Sequence, residues 1–252
     1  MSSAIIVIPC YNEARRLQVD KFKAFARAGH PQRFLFVNDG STDGTLQVLQ
    51  KLQDDDPPRF ACHDLPANLG KAEAVRRGLP RAFEAGPDYV GYWDADLATP
   101  LEAIPLFCEL MDARPDIEIV FGARVRLLGR AIQRKASRHY LGRVFATAAS
   151  LTLGLAIYDT QCGAKLLRAS PAIQGLFQQP FATRWLFDVE ILTRLIQARR
   201  GTTLPQAEDV VYEFPLLEWR DVEGSKVKAV DFVKSFFGLA LIYWKYLRPL
   251  PR

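Results

Sequence analysis

Apolar runs alternate with amphipathic segments over the first 122 residues of this 252-residue chain. The apolar runs predict strands at Ala4–Ile8, Arg33–Val37, Arg59–His63, Tyr89–Trp93 and Ile117–Phe121. The amphipathic segments predict helices over Glu13–Ala28, Thr45–Leu52, Lys71–Ala85 and Leu101–Ala113. This alternation favours an α/β fold in which helices cover a mostly parallel sheet with right-handed crossovers.

The second half of the chain is less regular. Its patterns predict a long helix over Arg130–Leu155, a strand over Thr160–Leu167, a helix over Trp185–Ala198, a strand over Asp209–Phe214 and a helix over Val227–Leu247. We find no repeat, low-complexity segment or flexible linker. The expected organisation is one domain over residues 1–226 and an amphipathic C-terminal helix over residues 227–252.

Two apolar runs of the chain fall short of the length of a membrane span. Val144–Tyr158 and Ser235–Trp244 are both shorter than the ~20 residues that cross a bilayer, so we expect no spanning helix. The second run lies between Lys234 and Lys245 and is rich in Phe and Leu. This composition favours a helix in the interface of an anionic membrane, with packing on the domain core or homodimerisation as alternatives.

Basic residues are concentrated in two later segments. Residues 1–100 carry 12 Lys and Arg against 13 Asp and Glu, whereas residues 124–143 carry seven basic residues and no acid. Residues 226–252 carry six basic residues and one acid. Phosphate, nucleic acid and a membrane surface all fit such segments. Four scattered cysteines without a zinc-binding pattern, and a start without a secretory signal, favour a cytoplasmic location.

Two carboxylates follow the apolar strand Tyr89–Trp93. Asp94 and Asp96 come where this strand ends, and burying two acidic groups is costly unless positive charge meets them. Hard oxygen ligands suit Mg²⁺ or Mn²⁺. The pair therefore predicts a divalent cation that carries a nucleotide diphosphate.

Polar residues also follow the first two strands. Tyr11 can stack on a base, while Asn12 and Glu13 can bind ribose or base edges, or simply cap a helix. Asp39 can accept a hydrogen bond from a base or a ribose hydroxyl, although Thr42 and Asp43 beside it are also typical helix caps. Ligands of parallel α/β sheets bind beyond the carboxyl ends of the strands, so we expect these segments to meet Asp94 there.

A glycine and a lysine precede the third predicted helix. Lys71 follows Gly70 at the helix start, where backbone N–H groups and an ammonium favour phosphate. The chain contains no G-x-x-x-x-G-K and no G-x-G-x-x-G after the first strand, which excludes a Walker loop and argues against a dinucleotide fold.

These segments together resemble the family-two inverting glycosyltransferases of GT-A fold, and within them the dolichyl-phosphate β-glucosyltransferases and related polyprenyl-phosphate glycosyltransferases. The matching stretches cover residues 8–13, 37–45, 68–71, 94–100, 159–166, 185–190 and 224–226. The stretches Asp94-Ala-Asp-Leu-Ala-Thr-Pro100 and Asp159-Thr-Gln-Cys-Gly163 point to the glucosyl branch. The resemblance implies a Rossmann-like, mostly parallel sheet flanked by helices.

The resemblance also implies roles for individual residues. The expected nucleotide-sugar site comprises Pro9, Tyr11, Asn12, Glu13, Asp39, Lys71, Asp94, Ala95, Asp96, Ser225 and Lys226. Within it, Asp94 and Asp96 would hold ribose and the metal, and Ser225 and Lys226 would close over the diphosphate. Two departures stand out. Ala98 replaces a Gln metal ligand of mannosyl relatives, and Ala72 replaces a glycine after Lys71.

The implied reaction transfers a hexose, glucose from UDP-glucose, with inversion onto a dolichyl or undecaprenyl phosphate at the cytoplasmic face of a membrane. A phosphate acceptor is already an anion, so it requires positioning and charge neutralisation rather than a general base. We expect Arg124, Arg134 and Arg138 to serve the acceptor phosphate. Gln161, Asp188 and Glu190 are expected on the acceptor side, the last two as positioning or structural groups.

The sequence leaves three alternative functions open. The same fold can use another donor sugar or a saccharide or protein acceptor, in which case a working base is needed. A non-catalytic nucleotide-sugar-binding adaptor would not need Asp94 and Asp96 intact. A nucleic-acid binder would use the basic segments but leaves the acidic strand end unexplained, so we expect no nucleic acid partner.

Overall fold

A computed structural model describes residues 2–133, 136–221 and 229–248. The strands are β1 (Ala4–Cys10), β2 (Arg33–Asp39), β3 (Phe60–Leu65), β4 (Tyr89–Trp93), β5 (Ile119–Ala123), β6 (Ala131–Gln133), β7 (Ala164–Arg168), β8 (Val211–Pro215) and β9 (Glu218–Arg220). The helices are α1 (Val19–Arg27), α2 (Thr45–Asp55), α3 (Lys71–Glu84), α4 (Ala103–Ala113), α5 (Ala136–Leu153), α6 (Pro171–Gly175), α7 (Phe187–Arg199), α8 (Ala207–Val210) and α9 (Ala229–Ile242), followed by a π-helical segment over Tyr243–Leu247.

Seven strands form the central sheet in the order β3-β2-β1-β4-β7-β5-β8. All neighbouring pairs are parallel except those of β7, which is antiparallel to both β4 and β5. Trp93, the last residue of β4, pairs with Ala164, the first residue of β7. The mostly parallel sheet predicted from the alternating pattern is therefore confirmed, with one inserted antiparallel strand.

Two apolar layers cover the two faces of the sheet. Alternate residues of β1 divide between them, with Val7 on one face and Ile6 on the other, as the two-residue period of a strand requires. The first layer contains α3, α5, α7 and α9, and the second contains α1, α2 and α4. Helices on both faces are the reason the central strands read as continuous apolar runs.

The helix predicted over Arg130–Leu155 is wrong at its start. Ala131–Gln133 forms a strand that pairs in parallel with Glu218–Arg220, and Ile132 is buried between two exposed neighbours. The pairing partner lies far along the chain, so the local pattern did not contain it. The described part of helix α5 spans Ala136–Leu153.

The C-terminal helix packs on the domain with one side. Leu239, Ile242 and Leu247 are buried in the same core layer as α5 and α7. Phe237 and Trp244 are exposed on the other side, by 75% and 62%. Packing on the core was one of the alternatives for this helix, and the separate domain boundary at residue 226 stays a prediction. Within the described residues, no helix has both the length and the apolar character needed to cross a bilayer.

Candidate active site

The loops after β1 and β2 are joined by hydrogen bonds at the carboxyl edge of the sheet. The backbone N–H of Asn12 donates to Ser41 Oγ at 3.0 Å, and Asn12 Oδ1 accepts from the N–H of Thr42 at 2.9 Å. The N–H of Glu13 donates to Thr45 Oγ1 at 2.8 Å. Asn12 has a φ of +53°, a left-handed conformation that asparagine tolerates better than most residues. The expected meeting of these two loops therefore takes place.

Asp39 organises the loop that leads into α3. Its carboxylate is 2% exposed and accepts from the N–H groups of Leu69 at 2.8 Å and Gly70 at 2.9 Å. Gly40 has a φ of +58°, and a Cβ there would lie 2.3 Å from the carbonyl carbon of Ala67. The predicted contact of Asp39 with a base stays a prediction, and its present partners show a role in fixing the start of α3.

Lys71 reaches the strand end of β4. Its Nζ contacts Oδ1 of Asp94, and the two side chains are 37% and 35% exposed, so a ligand can reach both. Burial by itself lowers the pKa of the Lys71 ammonium, but three carboxylates outweigh burial and the pKa lies above its ordinary value. In order of effect these are Asp94, Asp188 and Asp96.

Asp96 lies in a tight turn beside this pair. Its Oδ1 accepts from the N–H of Ala98 at 3.1 Å, and its carbonyl accepts from Gln18 Nε2 at 2.9 Å. Burial and the nearby charge of Asp94 raise the pKa of Asp96 above its ordinary value. An added positive charge beside Asp96 would therefore favour its ionised form.

This donor set fits a hard divalent cation. The ammonium of Lys71 already acts as a stand-in cation against Asp94, and the two carboxylates supply the oxygens that Mg²⁺ and Mn²⁺ prefer. In the part of the chain that the structure describes, no cluster of three or more His, Cys, Asp or Glu has a metal-binding arrangement. A cation bound here would therefore be coordinated also by water or by atoms of a bound small molecule.

Gly163 provides the space that Asp94 occupies. Its carbonyl accepts from the N–H of Asp94 at 2.9 Å, and a Cβ at this position would lie 1.9 Å from Asp94 Oδ2. We did not single out Gly163 as a site residue from the sequence, although it ends the stretch Asp159-Thr-Gln-Cys-Gly163 on which the resemblance partly rests.

A buried ion pair supports the loop that carries Gly163. Arg124 donates from Nε and Nη2 to Asp159 at 2.6 and 2.8 Å, and its guanidinium lies over the ring of Trp219 at 5.2 Å. Glu213 accepts from the N–H groups of Tyr158 and Asp159 at 2.6 and 2.7 Å. Arg124, predicted to serve an acceptor phosphate, is thus held by a carboxylate, and its acceptor role stays a prediction.

Asp188 lies in a buried polar cluster. It is 4% exposed, forms an ion pair with Lys165 at 2.6 Å and accepts a hydrogen bond from the Tyr92 hydroxyl. Burial, and then the charge of Asp188, raise the pKa of Tyr92 well above its ordinary value, so this hydroxyl stays protonated and remains a donor. Tyr92 and Lys165 come from the sheet and Asp188 from α7, and Lys165 also donates to the carbonyl of Cys162 in the loop before β7.

Glu190 is fully buried, and its carboxylate accepts hydrogen bonds from neighbouring backbone N–H groups. It pairs with Arg194 at 2.8 Å and accepts from the N–H of Ala182 and the hydroxyl of Tyr246. Of the two readings that the sequence left open, these contacts favour a structural group.

The remaining predicted residues are placed as follows. Pro9 and Tyr11 are partly buried at the end of β1, and Ala95 is 6% exposed between the two aspartates. Gln161 has a buried Nε2 with no hydrogen-bond partner among the described residues, so a donor is available there. Arg134, Ser225 and Lys226 lie outside the described residues, as does the side chain of Arg138, whose backbone belongs to α5.

Comparison with known proteins identifies the class to which this fold and site belong. Residues 5–176 match Glycosyl transferase family 2. The chain belongs to this family and is a glycosyltransferase, which confirms the resemblance seen in the sequence motifs.

Several curated relatives that match most of this chain at about 30% identity are dolichyl-phosphate β-glucosyltransferases. The protein of Saccharomyces cerevisiae is 29% identical over an alignment of 265 positions, and this alignment covers 96% of this chain and 74% of the relative. The proteins of Mus musculus and Homo sapiens are 32% and 30% identical, each covering 88% of this chain and 68% of the relative.

Solved structures confirm the GT-A glycosyltransferase fold. Glucosyl-3-phosphoglycerate synthase from Mycobacterium tuberculosis, in complex with Mn²⁺, UDP-glucose and phosphoglyceric acid, matches with a TM-score of 0.66 and 16% identity, covering 98% of this chain and 81% of the other. A mannosyltransferase from Pyrobaculum calidifontis, in complex with GDP-mannose and Mn²⁺, matches with a TM-score of 0.64 and 16% identity, covering 98% of this chain and 65% of the other.

Gly163→Ala tests the space at Asp94. The added methyl overlaps the carboxylate, so Asp94 must move, and we expect Mn²⁺ affinity measured with UDP present to fall at least about tenfold. Gly175→Ala is the matched control, because a Cβ there meets no atom within 4 Å. Unchanged affinity in a folded Gly163→Ala protein would contradict this account.

Asp188→Asn tests the buried cluster. The substitution leaves the Lys165 ammonium buried without its carboxylate, so we expect the free energy of unfolding in urea to fall by about 3–5 kcal/mol. Asp116→Asn, which removes an exposed ion pair with Arg114, is expected to leave the urea midpoint unchanged. Equal midpoints for the two variants would show that the Lys165 pair is not needed for stability.

Proposed function

We propose that this glycosyltransferase transfers glucose from UDP-glucose, with inversion, to the phosphate of a polyprenyl phosphate. The observation that carries the proposal is the engagement of the carboxylates of α7. Asp188 is held by Lys165 and Tyr92, and Glu190 by Arg194 and backbone N–H groups. These contacts occupy both carboxylates, which favours a phosphate acceptor, because such an acceptor needs no base.

The donor half of the proposal rests on the carboxyl edge of the sheet. Asp94 and Asp96 would hold a divalent cation, which when bound would neutralise charge on the departing nucleotide diphosphate. Lys71 lies beside them and adds a second positive group on the same side. The curated relatives named above are dolichyl-phosphate β-glucosyltransferases, and one solved neighbour is in complex with UDP-glucose and Mn²⁺, which supports this donor.

The acceptor half rests on positioning of an anion. Arg143 donates to the carbonyl of Tyr158 at 3.0 Å and lies over its ring at 3.6 Å, so its charge is already partly engaged by the protein. The buried Nε2 of Gln161 has no partner among the described side chains and backbone groups, which supports a hydrogen bond to a ligand oxygen. Arg124, Arg134 and Arg138 remain the proposed partners of the acceptor phosphate.

The proposed attachment to a membrane rests on two helices in contact. Phe145 of α5 and Phe236 of α9 meet edge to face with ring centres 5.9 Å apart. Large apolar side chains of both helices are exposed to solvent: Tyr140, Leu141, Val144 and Leu151 on α5, and Phe237 and Leu241 on α9. This surface, which we call the α5/α9 apolar surface, supports peripheral attachment to a membrane. The cytoplasmic face and anionic lipid remain part of the proposal.

A donor and acceptor screen tests the activity. UDP-glucose, GDP-mannose and UDP-N-acetylglucosamine are each combined with dolichyl and undecaprenyl phosphate, and radiolabelled glycolipid is measured. We expect product with UDP-glucose, its loss in EDTA and its return with Mn²⁺ or Mg²⁺. Asp94→Asn and Asp96→Asn should each lower kcat/KM by about 100-fold or more, because charge at the departing diphosphate goes unneutralised.

Asp54→Asn, an exposed carboxylate on α2, is the control for these variants and should retain full activity. Transfer of a different sugar, or transfer to a saccharide in place of the lipid phosphate, would favour the alternative of another donor or acceptor. If the protein binds UDP-glucose but releases no UDP with any lipid phosphate as acceptor, the non-catalytic adaptor is favoured.

Vesicle binding tests the α5/α9 apolar surface. Combining Phe237→Asp with Leu241→Asp places two charges on exposed apolar positions of α9, so co-sedimentation with vesicles of phosphatidylcholine and phosphatidylglycerol should be lost. Leu204→Asp, at an exposed leucine after α7, should bind as the unmodified protein does. Retained binding by the double variant would exclude this surface as the membrane contact.

A further inference from the structure

Lys71 is held at a fixed place in the backbone while its side chain reaches the metal-binding carboxylates. Helix α3 begins at Lys71, directly after Gly70, which has a φ of +92°. The N–H of Gly70 is bonded to the buried carboxylate of Asp39. The long side chain then extends to Asp94, where its ammonium contacts Oδ1. The backbone at Lys71 is thus fixed, while its flexible side chain lets the ammonium group change position.

The ammonium and a cation require the same carboxylate. Asp94 and Asp96 carry two negative charges, and Lys71 neutralises one of them. Asp188, the other carboxylate acting on Lys71, already has Lys165 as its partner. A divalent cation that approaches Asp94 therefore comes close to the Lys71 ammonium, which already contacts this carboxylate. The two positive charges repel each other at short range.

The two aspartates alone make an incomplete cation site. In the chain as described, they belong to no larger cluster of metal-ligating side chains. Mg²⁺ and Mn²⁺ prefer about six oxygen ligands, so most must come from water or from a bound diphosphate. A diphosphate supplies these oxygens and also offers the ammonium a new anionic partner.

We propose that Lys71 couples cation binding to nucleotide binding at this site. Without nucleotide, its ammonium holds Asp94 and opposes the cation. With a nucleoside diphosphate bound, the ammonium turns to the diphosphate and leaves Asp94 to the cation. The inference rests on the proposed nucleotide-diphosphate donor. Binding coupling is reciprocal, so the cation must strengthen nucleotide binding by the same factor.

The test measures Mn²⁺ binding by electron paramagnetic resonance, with and without saturating UDP. For the unmodified protein we expect UDP to tighten Mn²⁺ binding by about 5–150-fold, the usual range of coupling between two ligands. In Lys71→Met, Mn²⁺ alone should bind more tightly, and the factor gained from UDP should fall to less than about half of its value in the unmodified protein, the rest of the gain coming from the oxygens of the diphosphate. Lys71→Arg keeps the charge and should retain most of the coupling.

Lys51→Met is the matched control, because it removes an exposed lysine of α2 and should leave both Mn²⁺ measurements unchanged. Lys71→Gln repeats the test if Lys71→Met does not fold, as judged by thermal unfolding. Equal or weaker binding of Mn²⁺ alone by Lys71→Met, or an unchanged gain from UDP, would overturn the role of Lys71 and leave the donor site intact. Absence of UDP-dependent Mn²⁺ binding in the unmodified protein would overturn both the inference and the proposed donor.

Discussion

The negative charge of Asp94 is the constraint around which the active site is organised. This carboxylate directly follows a strand that is buried on both faces and lies beside a second partly buried carboxylate, Asp96, so a positive partner stabilises it. Lys71 supplies the charge from the start of α3, and Gly163 leaves the space in which the carboxylate lies. Three segments that are distant in sequence are therefore needed to hold one functional group. The remaining polar contacts of the site position these segments.

The antiparallel strand β7 explains how the third segment arrives. In a parallel sheet, a strand ends at the carboxyl edge, whereas an antiparallel neighbour begins there. Ala164, the first residue of β7, pairs with Trp93, the last residue of β4, so the loop before β7 must lie beside Asp94. The buried pair of Arg124 and Asp159 then secures this loop from β5. One reversed strand thus brings the second half of the chain to a site built mainly by the first half.

The alternating strands and helices could be predicted because parallel strands buried on both faces are short, apolar and separated by helices. The meeting of Pro9–Glu13, Asn38–Asp43 and Asp94–Asp96 followed from the same geometry. The partners of charged residues could not be predicted in this way. Arg124 stands in a run without acids, which favoured an anionic ligand, but its carboxylate Asp159 lies 35 residues further on. Gly163 was missed because its importance depends on a side chain from another strand.

The C-terminal helix shows why apolar composition alone does not locate a helix. Leu239 and Ile242 are three residues apart and buried, while Phe237 and Leu241 are four apart and exposed, so one apolar run contains two different faces. The inner face is attached to the domain, and Tyr246 beyond it donates to Glu190 at 2.6 Å. Glu190 and Asp188 belong to the same helix, α7. The outer apolar face is therefore fixed relative to the helix that carries Asp188, so a lipid surface bound there would meet the site in a defined orientation.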